Sequence, residues 1–126
     1  MIRSLAAAAV FALGTGAAVA AEGPRFFGER HRVAVREFYN EQMRAGTCPI
    51  GFAKKEGGCG LPRHSANWAV GKPLPPGAIR FDLPPGLVAK LGKPPASHRY
   101  LRLGPDVLLV SNKSKLVTDA IPDLGR

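Results

Sequence analysis

The spacing of apolar residues predicts one amphipathic helix in the first half of the chain. The sequence GERHRVAVREFYNEQMRAG, from Gly28 to Gly46, contains no proline and is rich in good helix formers. Larger side chains recur there at spacings of three and four, and a glycine follows where the helix should end. The predicted stripe consists of Val35, Phe38, Tyr39, Gln42 and Met43. We expect Glu29, Arg32 and Arg36 to face elsewhere.

The second half shows the alternation that is typical of strands. In AIRFDL the apolar residues Ile79, Phe81 and Leu83 alternate with charged ones, which predicts a half-buried strand. PPGLVAKLG follows, and its proline near the first position and its glycine at the end predict a short helix. From Tyr100 onward, three apolar runs are separated by the turns GPD and NKSK, which predicts a three-stranded meander.

These elements define the expected architecture. The fold class is α+β: an N-terminal helix, a disulfide-closed loop, then a small three- to four-stranded antiparallel sheet with a short helix. Residues 1–20 have a basic start, an apolar core and an Ala-Val-Ala end, so they are interpreted as a cleavable signal peptide. Residues 21–46 then form an N-terminal lead and helix, and residues 47–126 form the small domain. No later segment is apolar enough to span a membrane.

Export to an oxidising compartment favours a disulfide between the two cysteines. Cys48 and Cys59 allow only one intramolecular pairing, and the loop between them is rich in glycine. A structural disulfide closing such a loop contributes about 3 kcal/mol in chain-entropy models, which matters in a small domain. The alternative is a redox-active or metal-binding thiol pair, but the spacing is not Cys-x-x-Cys and no second pair completes a zinc site.

The sequence contains no recognisable catalytic arrangement. H-x3-H, HExxH, GxSxG and glycine-rich phosphate loops are all missing, so we expect a non-enzymatic protein. Asp106 occupies a turn, where aspartate stabilises the local backbone. We expect Asp119 on the solvent face of a strand.

Metal binding rests on three histidines that are isolated in sequence. No cofactor is predicted; weak nickel or cobalt binding is the alternative, with His31, His64 and His98 as weak candidate ligands. The competing interpretation is three unrelated surface or turn residues. Arg99 lies beside His98 and opposes a cation there.

The chain is strongly basic, with 18 Lys+Arg against 9 Asp+Glu and a formal net charge of +9. Loss of the leader removes one base, Arg3, which leaves +8. An exported basic protein is drawn to anionic envelope components such as lipopolysaccharide, lipid headgroups or an envelope protein, whereas nucleic acid is in another compartment. The residues expected to contact such a partner are Arg32, Arg36, Lys54 and Lys55. The alternative is that the charge serves solubility alone.

Trp68 is the only tryptophan in the chain, and proline pairs follow it. A lone tryptophan in a small domain is typical of a core side chain, with a peptide-binding groove as the alternative. The proline pairs are interpreted as rigid turns of the domain rather than as polyproline ligands. Trp68, Tyr100 and Asp106 are therefore the predicted structural anchors.

Two segments resemble a known family. CPIGFAKKEGGCGLP with WAVGKPLPPG is similar to the CPPGLAKK…GCLPPG…W-x-x-G-x-PLP segment of short exported proteobacterial proteins. LPPGLVAKLGKPPASHRYLRLGPDVLLVSNKSKLVTDAI similarly resembles their LPP…L…PPPGYRYVRVGNDVLLIA…TGLVVDAI ending. These proteins form the RcnB-like group, and the resemblance covers about Cys48 to Leu124.

The resemblance implies a small periplasmic domain that ends in a short antiparallel sheet. It also implies an accessory role in nickel and cobalt homeostasis rather than catalysis. The cysteine pair, Trp68 and the YVR-like strand at Tyr100 match by position, but the resemblance transfers no metal ligand. Two places depart from the pattern: LPRHSAN replaces a lysine-bearing repeat and introduces His64, and the turn SNKSK is more basic.

Overall fold

A computed structural model describes residues 25–60 and 67–126, and it shows an α+β fold. Helix α1 is followed by a short hairpin, a four-stranded sheet interrupted by helix α2, and a final 3-10 turn at Asp123–Gly125. The remaining bounds are α1 Glu29–Arg44, β1 Ala53–Lys55, β2 Gly58–Gly60, β3 Arg80–Phe81, α2 Pro85–Leu91, β4 His98–Leu103, β5 Asp106–Ser111 and β6 Val117–Ile121. Among the described residues, no helix has the length and apolar character that crossing a bilayer requires.

The main sheet is antiparallel throughout, with strand order β3-β4-β5-β6. Strands β4 and β5 form the meander's first hairpin, in register from His98 opposite Ser111 to Leu103 opposite Asp106. Strand β6 pairs with β5 with a register shift between Leu109 and Val110. The predicted meander and both of its turns are confirmed.

Both faces of this sheet are buried. The front face packs against α1 and α2, where Val35, Tyr39 and Leu87 meet sheet residues such as Leu109. The back face is covered by residues 68–78. Its cluster contains Leu101, Leu103, Leu108, Val110 and Val117, with Trp68, Leu74, Ala78 and Ala120 packed against them. A sheet covered on both sides requires apolar residues at consecutive positions, which explains the buried run Val107–Val110.

Helices α1 and α2 form where the sequence predicts them. On α1, Val35 and Tyr39 are buried, and Phe38 and Met43 pack at the edge of the core. Helix α2 has a proline at its first turn and ends at Gly92, whose φ of +91° favours glycine. Phe38 lies over α2 at Gly86, so the two helices contact each other side by side.

The predicted strand in AIRFDL is wrong in its extent. Only Arg80 and Phe81 pair, opposite Leu103 and Arg102, and Ile79 is 74% exposed rather than half-buried. Strand β4 ends at Leu103, where the chain turns through Gly104 and Pro105. The alternating pattern therefore continues past the last residue that has a partner.

The expectation that Asp119 faces solvent is also wrong, because its side chain is only 5% exposed. Asp119 lies opposite Leu109 on the front face of the sheet. The backbone N–H groups of Phe26 and Phe27 both donate to its Oδ2, each at 2.8 Å. The residues that lead into α1 therefore cover this carboxylate and use it as an acceptor.

Candidate functional site

The disulfide predicted from two cysteines is present and closes the segment between α1 and β2. Cys48 and Cys59 are joined and pack against the front core. In the hairpin, Cys59 pairs with Lys54 across β1 and β2, so the bond fastens the end of α1 to the second strand. With both sulfurs used, the described residues hold no free thiol.

Beneath this loop lies a buried cation, Arg102, whose side chain is 2% exposed. Its Nη1 donates to the Gly104 carbonyl at 2.7 Å, and its Nη2 donates to the Ile50 carbonyl. Three aromatic rings surround the guanidinium. Its carbon lies 4.8 Å from the ring centre of Phe81, 5.3 Å from that of Phe52 and 6.0 Å from that of Tyr39. Burial lowers the pKa of Arg102, while the nearby Tyr39 opposes that shift.

Arg102 joins the disulfide loop to the sheet. The disulfide loop lies close to Phe81 of the sheet at Gly51. A Cβ atom at Gly51 would lie 2.8 Å from the Phe81 ring, and the φ of +94° also favours glycine, so only glycine fits there. This contact was not predicted from the sequence, although the alternation of side chains along β4 indicates it. Since side chains alternate along a strand, Arg102 shares the face of the buried Tyr100.

Tyr39 contributes the apolar side of the same contact. Burial raises the pKa of its hydroxyl, and the neighbouring Arg102 charge opposes the shift. No hydrogen-bond partner for this hydroxyl lies within the part of the chain that the structure describes. The Tyr39 ring is one of the three that surround the Arg102 guanidinium.

Asp106 works as an internal acceptor at the end of the sheet. Its Oδ2 accepts a 2.7 Å hydrogen bond from Trp68 Nε1, and its Oδ1 accepts one of 2.8 Å from the backbone N–H of Asp123. The indole packs against the back-face cluster. Asp106 thus connects the segment covering the back of the sheet with the C-terminal turn.

Tyr100 holds the loop that follows α2. Its hydroxyl donates to the Gly92 carbonyl at 2.8 Å, and its ring stacks on that of Phe27 at 6.1 Å between centres. Burial raises the pKa of this hydroxyl.

The structure places His31 and His98 in separate local contacts. The Gly28 N–H donates to His31 Nδ1 at 2.9 Å, and the His31 ring lies 5.1 Å from Phe26. Burial and, next, the Arg30 charge lower the pKa of His31. His98 Nδ1 donates to the Ala96 carbonyl at 2.8 Å. His64 lies outside the described residues, and within residues 25–60 and 67–126 no three His, Cys, Asp or Glu side chains form a cluster able to hold a metal ion.

The four cations predicted to contact an anionic partner fall in different surroundings. Arg32 lies 3.7 Å from Glu29 on the exposed side of α1. Arg36 is half-buried, and its Nη1 donates to the Gly125 carbonyl at 3.0 Å. Lys54 and Lys55 are exposed on β1, and Lys54 Nζ lies 3.4 Å from the Gly46 carbonyl. The four residues are thus divided between α1 and the hairpin.

A groove of about 1050 Å³ runs along α1 beside α2. Val33 and Phe38 contribute apolar surface, whereas Glu37 and Lys90 contribute opposite charges. Since its charges are mixed, the groove shows no preference for an anion or a cation.

Comparison with known proteins gives a fold and no family. No protein-family model matches the chain, and no curated protein matches it. The RcnB-like resemblance therefore stays a sequence-based prediction. Among solved structures, the chain is similar to the C-terminal domain of the inner membrane protein CigR from Salmonella enterica. The identity is 23% and the TM-score 0.51, over 74% of this chain and 84% of that one. The chain therefore shares the fold of that domain.

Proposed function

We propose that this protein is a non-enzymatic module of the bacterial envelope, located in the periplasm, that docks on an anionic envelope component. The predicted leader and the disulfide support export to an oxidising compartment. The similar domain of CigR belongs to an inner membrane protein, which supports an envelope setting.

The observation that carries the proposal is the unequal use of acids and bases. The chain has twice as many Lys+Arg as Asp+Glu, 18 against 9. The carboxylates of Asp106 and Asp119 accept hydrogen bonds from the Trp68 indole and from backbone N–H groups. Over the described parts of the chain, ion pairs form only between Glu29 and Arg32 and between Glu41 and Arg44. Most cations thus remain available to anions, which attract them over distances of about 10 Å at 0.1 M salt.

Vesicle binding tests this proposal. The exported, oxidised protein is sedimented with vesicles of phosphatidylcholine alone or with 30% phosphatidylglycerol, at low and high salt. We expect binding to the anionic vesicles that falls steeply as salt rises, and little binding to the neutral ones. Equal binding to both vesicles, binding insensitive to salt, or no binding at low salt would contradict the proposal. Lipopolysaccharide in place of phosphatidylglycerol identifies which envelope anion is preferred.

An accessory role in nickel and cobalt homeostasis is the second candidate. It is supported by the resemblance of residues 48–124 to the RcnB-like group. Calorimetric titration of the oxidised protein with nickel and cobalt tests direct binding, and His64→Gln and His98→Gln variants locate the ligands. Metal tolerance of a strain lacking the gene tests an indirect role. If the titration shows no heat of binding and the strain lacking the gene has unchanged metal tolerance, this function is excluded.

A further inference from the structure

Three segments meet at the end of the sheet where β4 begins and β5 ends. The N–H of Asn112 donates to the Ser97 carbonyl at 2.8 Å, which joins the β5–β6 turn to the loop before β4. The third segment runs beside β6: the N–H of Val117 donates to the Lys72 carbonyl at 2.9 Å, and that of Leu74 to the Lys115 carbonyl at 3.4 Å. Residues 70–75, 92–99 and 111–117 therefore form one continuous end of the molecule.

These three segments carry positive charge only. The sequences VGKPLP, GKPPASHR and SNKSKLV contain no aspartate or glutamate. All of their lysine and arginine residues are exposed, and none takes part in an ion pair within the described residues. We call these residues the basic end: Lys72, Lys93, Arg99, Lys113 and Lys115.

Acidic groups lie at the opposite end of the same strands. Asp106 starts β5 there, and the N–H of Asp123 donates to it. Strand β4 has six residues, so roughly 17 Å or more separates the two ends. Arg80, which pairs with Leu103, lies at that end too, so the opposite end carries both signs, whereas the three segments above carry cations alone.

We infer that the basic end is the surface by which the protein docks, and that its partner is the phosphate-bearing surface of an anionic lipid bilayer. This inference rests on the proposed function and gives its site. The site differs from the four residues predicted from the sequence, because Arg32 and Arg36 lie on α1 and Lys54 and Lys55 lie on the hairpin, outside the basic end.

The composition of the basic end fits a lipid surface better than a single bound anion. Four of its five cations are lysines, which are flexible point charges without the planar fork that binds one phosphate bidentately. They come from three segments spread across β4, β5 and β6, strands that lie about 4.8 Å apart. Such a spread matches many laterally mobile headgroups. Val70, 57% exposed and two residues from Lys72, adds an apolar side chain that can enter the headgroup region.

Two matched triple variants test the assignment. The first replaces part of the basic end, as Lys72→Gln, Lys93→Gln and Lys113→Gln. The control removes the same charge elsewhere, as Lys54→Gln, Lys55→Gln and Arg80→Gln, all from exposed positions. With vesicles containing 30% phosphatidylglycerol, we expect about hundredfold weaker binding for the first and less than fivefold for the control. Thermal unfolding of both variants verifies that they fold.

Apolar contact is tested with a second matched pair. Val70→Ser should weaken vesicle binding about threefold, whereas Ile79→Ser should not, because Ile79 is 74% exposed but lies next to β3, at the other edge of the sheet. Millimolar inorganic phosphate should not displace the wild-type protein from vesicles beyond its effect on ionic strength.

The outcomes separate the two proposals. Equal losses in the two triple variants would overturn the basic end as the site while leaving envelope docking in place. Full displacement by free phosphate would replace the lipid surface with a single-anion site. If the wild-type protein does not bind anionic vesicles at low salt, both proposals fail.

Discussion

Replacing Arg102 tests how much a buried cation without a carboxylate partner stabilises this fold. The change Arg102→Met keeps most of the aliphatic stem among the three rings and removes the guanidinium. It leaves the Gly104 and Ile50 carbonyls without their donor. Because Ile50 itself is exposed, water can partly replace one of these bonds.

The magnitude follows from opposing contributions. Two hydrogen bonds from a charged donor contribute about 1.5–3 kcal/mol each, and contact with the aromatic rings adds about 0.5–2 kcal/mol. Removal of the guanidinium from water offsets several kcal/mol of this. We expect a net loss of about 2–3 kcal/mol, which lowers the melting temperature of a domain of this size by roughly 10–20 °C.

Urea and thermal unfolding of the oxidised protein measure this loss. Arg99→Met is the matched control on the same strand, since Arg99 is exposed, and should change stability by less than about 0.5 kcal/mol. Arg102→Lys keeps the positive charge but lacks the planar guanidinium that reaches both carbonyls, so it should not restore wild-type stability. Amide exchange at Phe52, whose N–H donates to the Pro49 carbonyl at 2.9 Å, should accelerate in Arg102→Met. If Arg102→Met is as stable as the wild type, the stabilising contact by which Arg102 joins the disulfide loop to the sheet is refuted.

Three further predictions concern His31, Asp119 and the disulfide. Burial holds the pKa of His31 below its usual value of 6.5, so the folded state disfavours the imidazolium. The free energy of unfolding should therefore fall as the pH drops through about 6.5. Measured between pH 5 and 8, it should depend less on pH in His31→Gln. Asp119→Ala removes the acceptor of three backbone N–H groups, those of Phe26, Phe27 and Ala120, and should cost about 2–3 kcal/mol in urea unfolding, against less than 1 kcal/mol for Thr118→Ala. Replacing both cysteines with serine should cost about 3 kcal/mol, and an unchanged denaturation midpoint would contradict a stabilising bond.

The sequence predicted those elements whose signals are local. Helix α1 has its own stripe and closing glycine, α2 has a proline and a glycine at its two ends, and the meander has two short polar turns. The disulfide followed from there being only two cysteines. These features need no knowledge of what packs against them.

The contacts that the sequence did not predict depend on distant segments. Ile79 continues an alternating pattern but has no partner, because the neighbouring strand ends at Leu103. Asp119 is polar within a strand, and its burial depends on residues more than ninety positions earlier. The basic end likewise combines three segments whose lysines are ordinary when viewed one at a time. The predicted anion-contacting set of Arg32, Arg36, Lys54 and Lys55 stays a prediction, which the triple variants test in part.

The coverage of the sheet edges has a consequence for how copies of this protein meet one another. On one side, β3 offers only two residues, and Asp82 and Leu83 alone separate it from the prolines at the start of α2. On the other side, the start of β6 is flanked by residues 71–73, whose backbone bonds to Val117. Exposed strand edges are where folded chains join into larger aggregates. We therefore expect this protein to remain dispersed when salt screens its net positive charge, because its edges offer little backbone to a second chain.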